Sequence, residues 1–304
     1  MDGERHKANL QGILKYAITN SKTEDGSQTF TGNEQLDSER KQFLENAIKS
    51  MTVDVIGELE RAIHILELKE STIEDKIEAL NIVRDLAGNI DFANNFIQIG
   101  GSKVVFDCLK NTNPKLRICA AYVIAELSQN NPFCQKHFLQ AGALQELIVC
   151  TKEDGDVASS SMHAISALVR NFEDGSAKFI ELGGLECLLE RLHSENSRVF
   201  VKACFLLRAL AAEFDGIRDE FVKLGAVNKL ASFVEPVIGF DIKTETVLSA
   251  LCLLVESKEG KLQFQKTNIS ETLQDILDKN EGKAECEEIL RDSNALLNLT
   301  RNKK

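Results

Sequence analysis

The stretch FIELGGLECLLERL, residues 179–192, sets two glycines, Gly183 and Gly184, in front of an apolar segment with helical spacing. Taken alone, a glycine pair opening a helix is a candidate phosphate cradle, because bare backbone N–H groups and the positive end of a helix attract anions. The rest of the chain decides otherwise. A phenylalanine followed four places later by glycine recurs as Phe96/Gly100, Phe138/Gly142, Phe179/Gly183 and Phe221/Gly225, so the glycines stand 42, 41 and 42 residues apart. With 16 Phe and 18 Gly in 304 residues, chance gives about one such pair, and even spacing marks an internal repeat.

Beyond each glycine, offsets of two, five, six and nine are mostly apolar: Leu185, Leu188, Leu189 and Leu192 in one copy, Val227, Leu230, Ala231 and Val234 in the next. This is one face of a helix. Upstream of each Phe/Gly pair lies a second apolar helix, carried by IEALNIVRDL, ICAAYVIAEL, MHAISALVRN and VKACFLLRAL. A weaker fifth copy runs from VLSALCLLV (247–255) to Phe264, with Asn268 in the glycine slot. Each unit therefore reads as a short helix ending at the Phe/Gly pair, a middle helix, a polar loop and a long third helix. A period of about 42 with this layout predicts an all-α, armadillo-repeat, right-handed superhelical solenoid with helical caps.

The repeats occupy residues 71–280, as four to five copies. Residues 39–70 give two helices, with Phe43, Ala47 and Met51 in the first and Ile56, Leu59, Ile63 and Leu66 in the second, expected to cap the array at its start. Residues 281–304 contain an amphipathic helix expected to cap its end. Residues 1–38 combine a short amphipathic helix over 8–20, with Leu10, Ile13, Leu14 and Ala17 on one face, and a polar linker without periodicity. They read as a mobile segment.

The formal net charge of −11 opposes binding to nucleic acid or an anionic membrane, since wrapping phosphates needs a concentrated basic surface. Eight cysteines lie scattered, none in a C-x-x-C pair and most inside apolar runs, so they read as reduced core residues. No nucleotide-binding or hydrolase motif occurs. Cys134 and His137 stand one helical turn apart, but no second pair completes a metal site. Neither an enzyme nor a cofactor or metal site is expected.

What remains is surface. Third helices of such a solenoid line an extended groove suited to a protein partner. With Leu168 as a core position, the groove residues in its helix are Ser166 and Arg170. The same register gives Arg84, Gln129 and Arg208 in neighbouring units.

The leader LQGILKYAITNS (10–21), the junction NIDFANNF (89–96) and the segments SQN (128–130), AISALVR (164–170), VKACFLL (201–207) and VLSALCLLV (247–255) together resemble the armadillo-type nucleotide-exchange factors of the heat shock protein 70 chaperones. The similarity covers nearly the whole chain. It implies a co-chaperone whose concave face embraces lobe II of the chaperone's ATPase domain, opens the nucleotide cleft and promotes release of ADP and then of client. The partner-binding residues carried over by resemblance are Ala93, Asn94, Asn95, Gln129, Asn130, Arg170, Asn171 and Lys202. The family's amino-terminal segment can occupy the chaperone's client site, which would give residues 1–38 that role, with Phe30, Ile13 and Leu14 as apolar candidates.

Two other readings stand beside this one. A peptide-binding adaptor of the importin or catenin type shares the fold, but importin grooves rest on a tryptophan and asparagine ladder, whose places here hold Ser166/Arg170, Ala125/Gln129 and Arg208/Ala212 in a chain without tryptophan. A chaperone-binding inhibitor would need the same groove as an exchange factor. No signal peptide is legible and the chain ends in TRNKK, without an endoplasmic-reticulum retention signal, so a cytosolic location is expected. A capped solenoid needs no second copy, so a monomer is expected.

Overall fold

The computed structural model describes residues 55–153 and 155–301, and all regular structure there is helical. The expectations for residues 1–38 and for the helix carrying Phe43, Ala47 and Met51 lie outside the described residues.

Two helices, α1 (Val55–Glu67) and α2 (Ile73–Leu86), precede five three-helix units. These are α3 (Ile90–Gln98), α4 (Gly101–Leu109) and α5 (Pro114–Ser128); α6 (Pro132–Gln140), α7 (Ala143–Cys150) and α8 (Asp156–Val169); α9 (Glu173–Glu181), α10 (Gly184–Arg191) and α11 (Ser197–Glu213); α12 (Asp215–Lys223), α13 (Ala226–Ala231) and α14 (Ile242–Leu254); α15 (Lys258–Phe264), α16 (Ser270–Asn280) and α17 (Glu287–Arg301). Asparagine opens several of them. Asn89, Asn113, Asn131 and Asn196 each accept a backbone N–H of the first turn, which satisfies a donor that the helix itself leaves free. Pro114 and Pro132 follow two of these caps, where a missing N–H costs nothing.

The Phe/Gly pairs carry the repeat. Phe96, Phe138, Phe179, Phe221 and Phe264 are all fully buried, and each contributes about 1.5–3 kcal/mol by leaving water. Gly100, Gly142, Gly183 and Gly225 adopt φ of 92°, 80°, 73° and 80°. This left-handed conformation lets the first helix of a unit reverse into the second, and a Cβ would strain it. The second glycine of each pair has a separate reason. A Cβ on Gly101 or Gly184 would lie 2.4 Å from ring carbons of Phe96 or Phe179, whereas units two and four carry Ala143 and Ala226 at that place. In the last unit the turn from α15 to α16 uses no left-handed residue, and α16 starts from Ile269 at φ −94°.

The apolar offsets read from the sequence are the buried faces: Leu185, Leu188, Leu189 and Leu192, like Val227, Leu230, Ala231 and Val234, are all buried. In α1 the register is shifted. Leu59, Ala62 and Leu66 face inward, while Ile56, expected in the core, is 51% exposed.

The long helices α2, α5, α8, α11, α14 and α17 pack in succession. The residue 281–304 segment thus supplies, as α17, the third helix of the fifth unit. The pair α5 and α8 is the most extensive, and α8 is buried almost all round, with Ala158, Ser159, Ser160, Ser161 and Ala164 among its buried residues. Small side chains let helix backbones approach closely. Between units, Arg117 of α5 makes a two-pronged ion pair with Glu153, one prong being 2.8 Å. Fully buried Asn280 donates to the Val237 and Ile276 carbonyls and accepts from the Gly239 N–H, pinning the loop before α14.

Candidate functional site

On the third-helix face, α5, α8 and α11 enclose a recess of about 420 Å³, lined by Ala125, Glu126, Gln129, Met162, His163, Ser166, Arg170, Lys202 and Phe205. Four of the eleven residues singled out from sequence meet there: Gln129, Ser166, Arg170 and Lys202. They come from three successive units, Ser166 and Arg170 from the same one, because each closes or lines a third helix.

Gln129 and Arg170 are the residues that end α5 and α8. Directly after them, Asn130 and Asn171 both take φ of 52°, the left-handed conformation that asparagine tolerates better than most residues. These two asparagines therefore break the helices and turn the chain at the edge of the recess. The turn after α8 is held by the first helix of the same unit. Gln135, buried on α6, donates its amide N–H groups to the Ala167 carbonyl at 2.8 Å and the Arg170 carbonyl at 3.2 Å.

Above that turn the Arg170 guanidinium lies over the Phe205 ring, 5.2 Å from its centroid. Phe205 is 43% exposed. Lys202, one turn earlier on α11, donates from Nζ to the Ser159 carbonyl at 3.0 Å. Burial, helped by Arg198, pulls its ammonium below the ordinary lysine range. His163 is half-buried; burial first and Lys202 second push its imidazole below its usual value, with Glu126 acting the other way. Its ring stands 6.0 Å from that of Tyr122. Tyr122, His163 and Phe205 stand at intervals of 41 and 42 residues, a row of rings on α5, α8 and α11.

The remaining candidates are placed elsewhere. Ala93 is 1% exposed, on the inward face of α3 beside Phe96 and Ile97; a side chain without surface cannot meet a partner, so it is removed from the contact set. Asn94 accepts from the Asn131 amide at 3.0 Å and from the Cys134 thiol at 3.7 Å, joining the first unit to the second. Asn95 is half-buried on the same short helix. Arg84, on α2 with Asp85 at 3.6 Å, and exposed Arg208, on α11, lie outside the recess.

Sequence reasoning missed Gln135, Glu126, Met162 and Phe205 as parts of this site. The repeat interval linking Tyr122, His163 and Phe205 is the signal that would have found the last. Of the metal candidates, Cys134 is spent on Asn131 and Asn94, and His137 Nε2 bonds the Ser102 hydroxyl at 2.8 Å. No cluster able to hold a metal exists among the described residues. The eight cysteines are free, six of them buried, and burial pushes the thiols of Cys134, Cys204 and Cys252 up to about 12. Among the described residues no helix is long and apolar enough to cross a membrane.

Residues 10–96 match the family model described as nucleotide exchange factor Fes1, and residues 92–220 match the SIL1/FES1/HPBP1 C-terminal domain. The chain belongs to this family. The two matches overlap at Phe92 to Phe96, within α3, and the second spans all the residues that line the recess. Among relatives of this Fes1-type chain, Hsp70-binding protein 1 of Homo sapiens is 28% identical over 267 residues, covering 83% of this chain and 73% of the relative. Hsp70 nucleotide exchange factor FES1 of Debaryomyces hansenii is 29% identical over 223 residues, covering 72% and 77%. A designed armadillo repeat protein superposes with a TM-score of 0.66 at 17% identity, covering 80% of this chain and 99% of its own. The armadillo fold follows from that likeness; the Fes1 family membership comes from the sequence matches.

Proposed function

We propose that this Fes1-type solenoid is a co-chaperone that binds an Hsp70 and promotes nucleotide exchange on it. The observation that carries this is the pair of adjoining family matches over residues 10–220, supported by relatives named as an Hsp70-binding protein and an Hsp70 nucleotide exchange factor. The recess supplies the physical means. It is a protein-facing surface on rigid helices, and nothing in it resembles a nucleotide cradle.

The partner surface is lobe II of the Hsp70 ATPase domain, and Gln129, Asn130, Arg170, Asn171 and Lys202 belong to the contact. The solenoid acts by differential binding. If it holds the open ATPase domain more tightly than the closed, ADP-bound one, it must weaken ADP binding by the same factor. Each tenfold requires about 1.4 kcal/mol of differential affinity, within reach of an interface of ordinary size. No catalytic group is involved, so the protein is not an enzyme. It works as a cytosolic monomer, and residues 1–38 reach the client-binding domain and hasten client release.

The test is an equilibrium one. Affinity for nucleotide-free Hsp70 is expected to exceed affinity for ADP-saturated Hsp70 at least tenfold. Equal affinities would leave a chaperone-binding adaptor or inhibitor. A variant lacking residues 1–38 should keep exchange activity and lose part of its client release; undiminished client release removes the segment from the mechanism.

A further inference from the structure

On the reading that the recess faces Hsp70, we propose that its occupant is an acidic side chain of the partner, an aspartate or glutamate carboxylate received between Arg170 and Lys202.

The charge arrangement carries this. The chain has 47 acidic and 36 basic residues, so cations have carboxylates to spare, and Arg84, Arg117, Arg198, Arg218 and Arg291 all stand within ion-pair distance of one. Arg170 and Lys202 have none among the described residues. Other cations such as Arg61, Arg191 and Arg208 also have none, but Arg170 and Lys202 are the two that line one recess. Arg170 lies against an aromatic ring, and Lys202 gives one of its three N–H donors to a backbone carbonyl. Both side chains are half-buried, so each has given up part of its hydration without gaining an opposite charge. A carboxylate entering between them meets unspent donors where the dielectric is lower than at open surface. Met162 and Phe205 line the same recess and offer apolar wall to the methylene groups that carry the carboxylate.

Glu126 gives the proposal a sign that can be checked. It is exposed on the α5 side of the recess and its charge opposes an acidic occupant. A basic occupant would be helped by Glu126 and hindered by Lys202; an acidic one reverses both effects.

The experiment measures the affinity of the full-length chain for nucleotide-free Hsp70, at low and high salt, for the wild type and for Arg170→Gln, Lys202→Gln, Lys202→Arg and Glu126→Gln. Loss of about tenfold is expected for Lys202→Gln and for Arg170→Gln, with a weaker salt dependence than wild type, as removal of a charge from a complementary interface requires. Lys202→Arg should stay near wild type, and Glu126→Gln should bind more tightly. That gain cannot come from misfolding. Unchanged affinity in both glutamine variants, or tighter binding by Lys202→Gln with weaker binding by Glu126→Gln, overturns the acidic occupant while leaving the exchange-factor reading intact. A wild type that does not bind Hsp70 overturns both.

Discussion

The Arg170 guanidinium sits 5.2 Å from the centre of the Phe205 ring, joining the end of α8 to the middle of α11 across the recess. An exposed ring contributes little to the core, so its value lies in holding the cation. A cation over a ring at such a site is worth about 0.5–1 kcal/mol. Phe205→Ala should therefore lower Tm only slightly while weakening Hsp70 binding several-fold; calorimetry and titration on the same sample check both halves. A large loss of stability with unchanged affinity would return Phe205 to the core.

Gln135 acts on the recess at second hand. Its two bonds to the α8 carbonyls fix the turn that presents Arg170. Replacing it with leucine leaves buried carbonyls without their donor, at a cost of about 1–3 kcal/mol. If Gln135 works through Arg170, the affinity lost in Gln135→Leu should vanish in an Arg170→Gln background, a non-additivity that a double-mutant cycle measures directly. Additive losses would mean that Gln135 supports stability alone.

Much of the molecule was legible in the sequence because its repeat is enforced by two steric facts: a buried phenylalanine and a left-handed glycine at fixed separation. Gln129 and Arg170 were legible for a related reason, since counting from a buried leucine locates the other faces of the same helix. Phe205 was not, because a large apolar residue inside an apolar helix reads as core until its exposure is seen. Gln135 was hidden because its partners lie 32 and 35 residues away, at the far end of the same unit. Ala93 shows the opposite error. Resemblance marks a junction as significant without saying whether its residues act at the surface or, as here, in the interior.

The glycine pair makes a graded stability prediction. Gly183→Ala forces a Cβ into φ of 73° and should cost about 1–2 kcal/mol. Gly184→Ala drives a Cβ against the buried Phe179 ring and should cost about 1–3 kcal/mol through overpacking. Urea unfolding reads both. Neither substitution should alter nucleotide affinity, since these glycines bend the chain and bind no phosphate.

His163 predicts a pH dependence. Its imidazole is held below the ordinary value near 6.5 by burial and by Lys202, so between the two values the unfolded chain binds more protons than the folded one. Its contribution to stability is complete above pH of about 6.5 and is lost as pH falls from there through the folded-state value. His163→Gln should flatten the stability profile in that window. A wild-type profile no steeper than the variant's would contradict the assignment.

The central claim is that this solenoid speeds loss of ADP from a chaperone. Stopped-flow release of a fluorescent ADP analogue from Hsp70, followed as this protein is added in excess, tests it most directly. The release rate should rise with concentration to a plateau well above the intrinsic rate, and charge reversal at Arg170 and Lys202 should shift that rise to higher concentrations. A release rate unchanged at saturating protein would contradict the account.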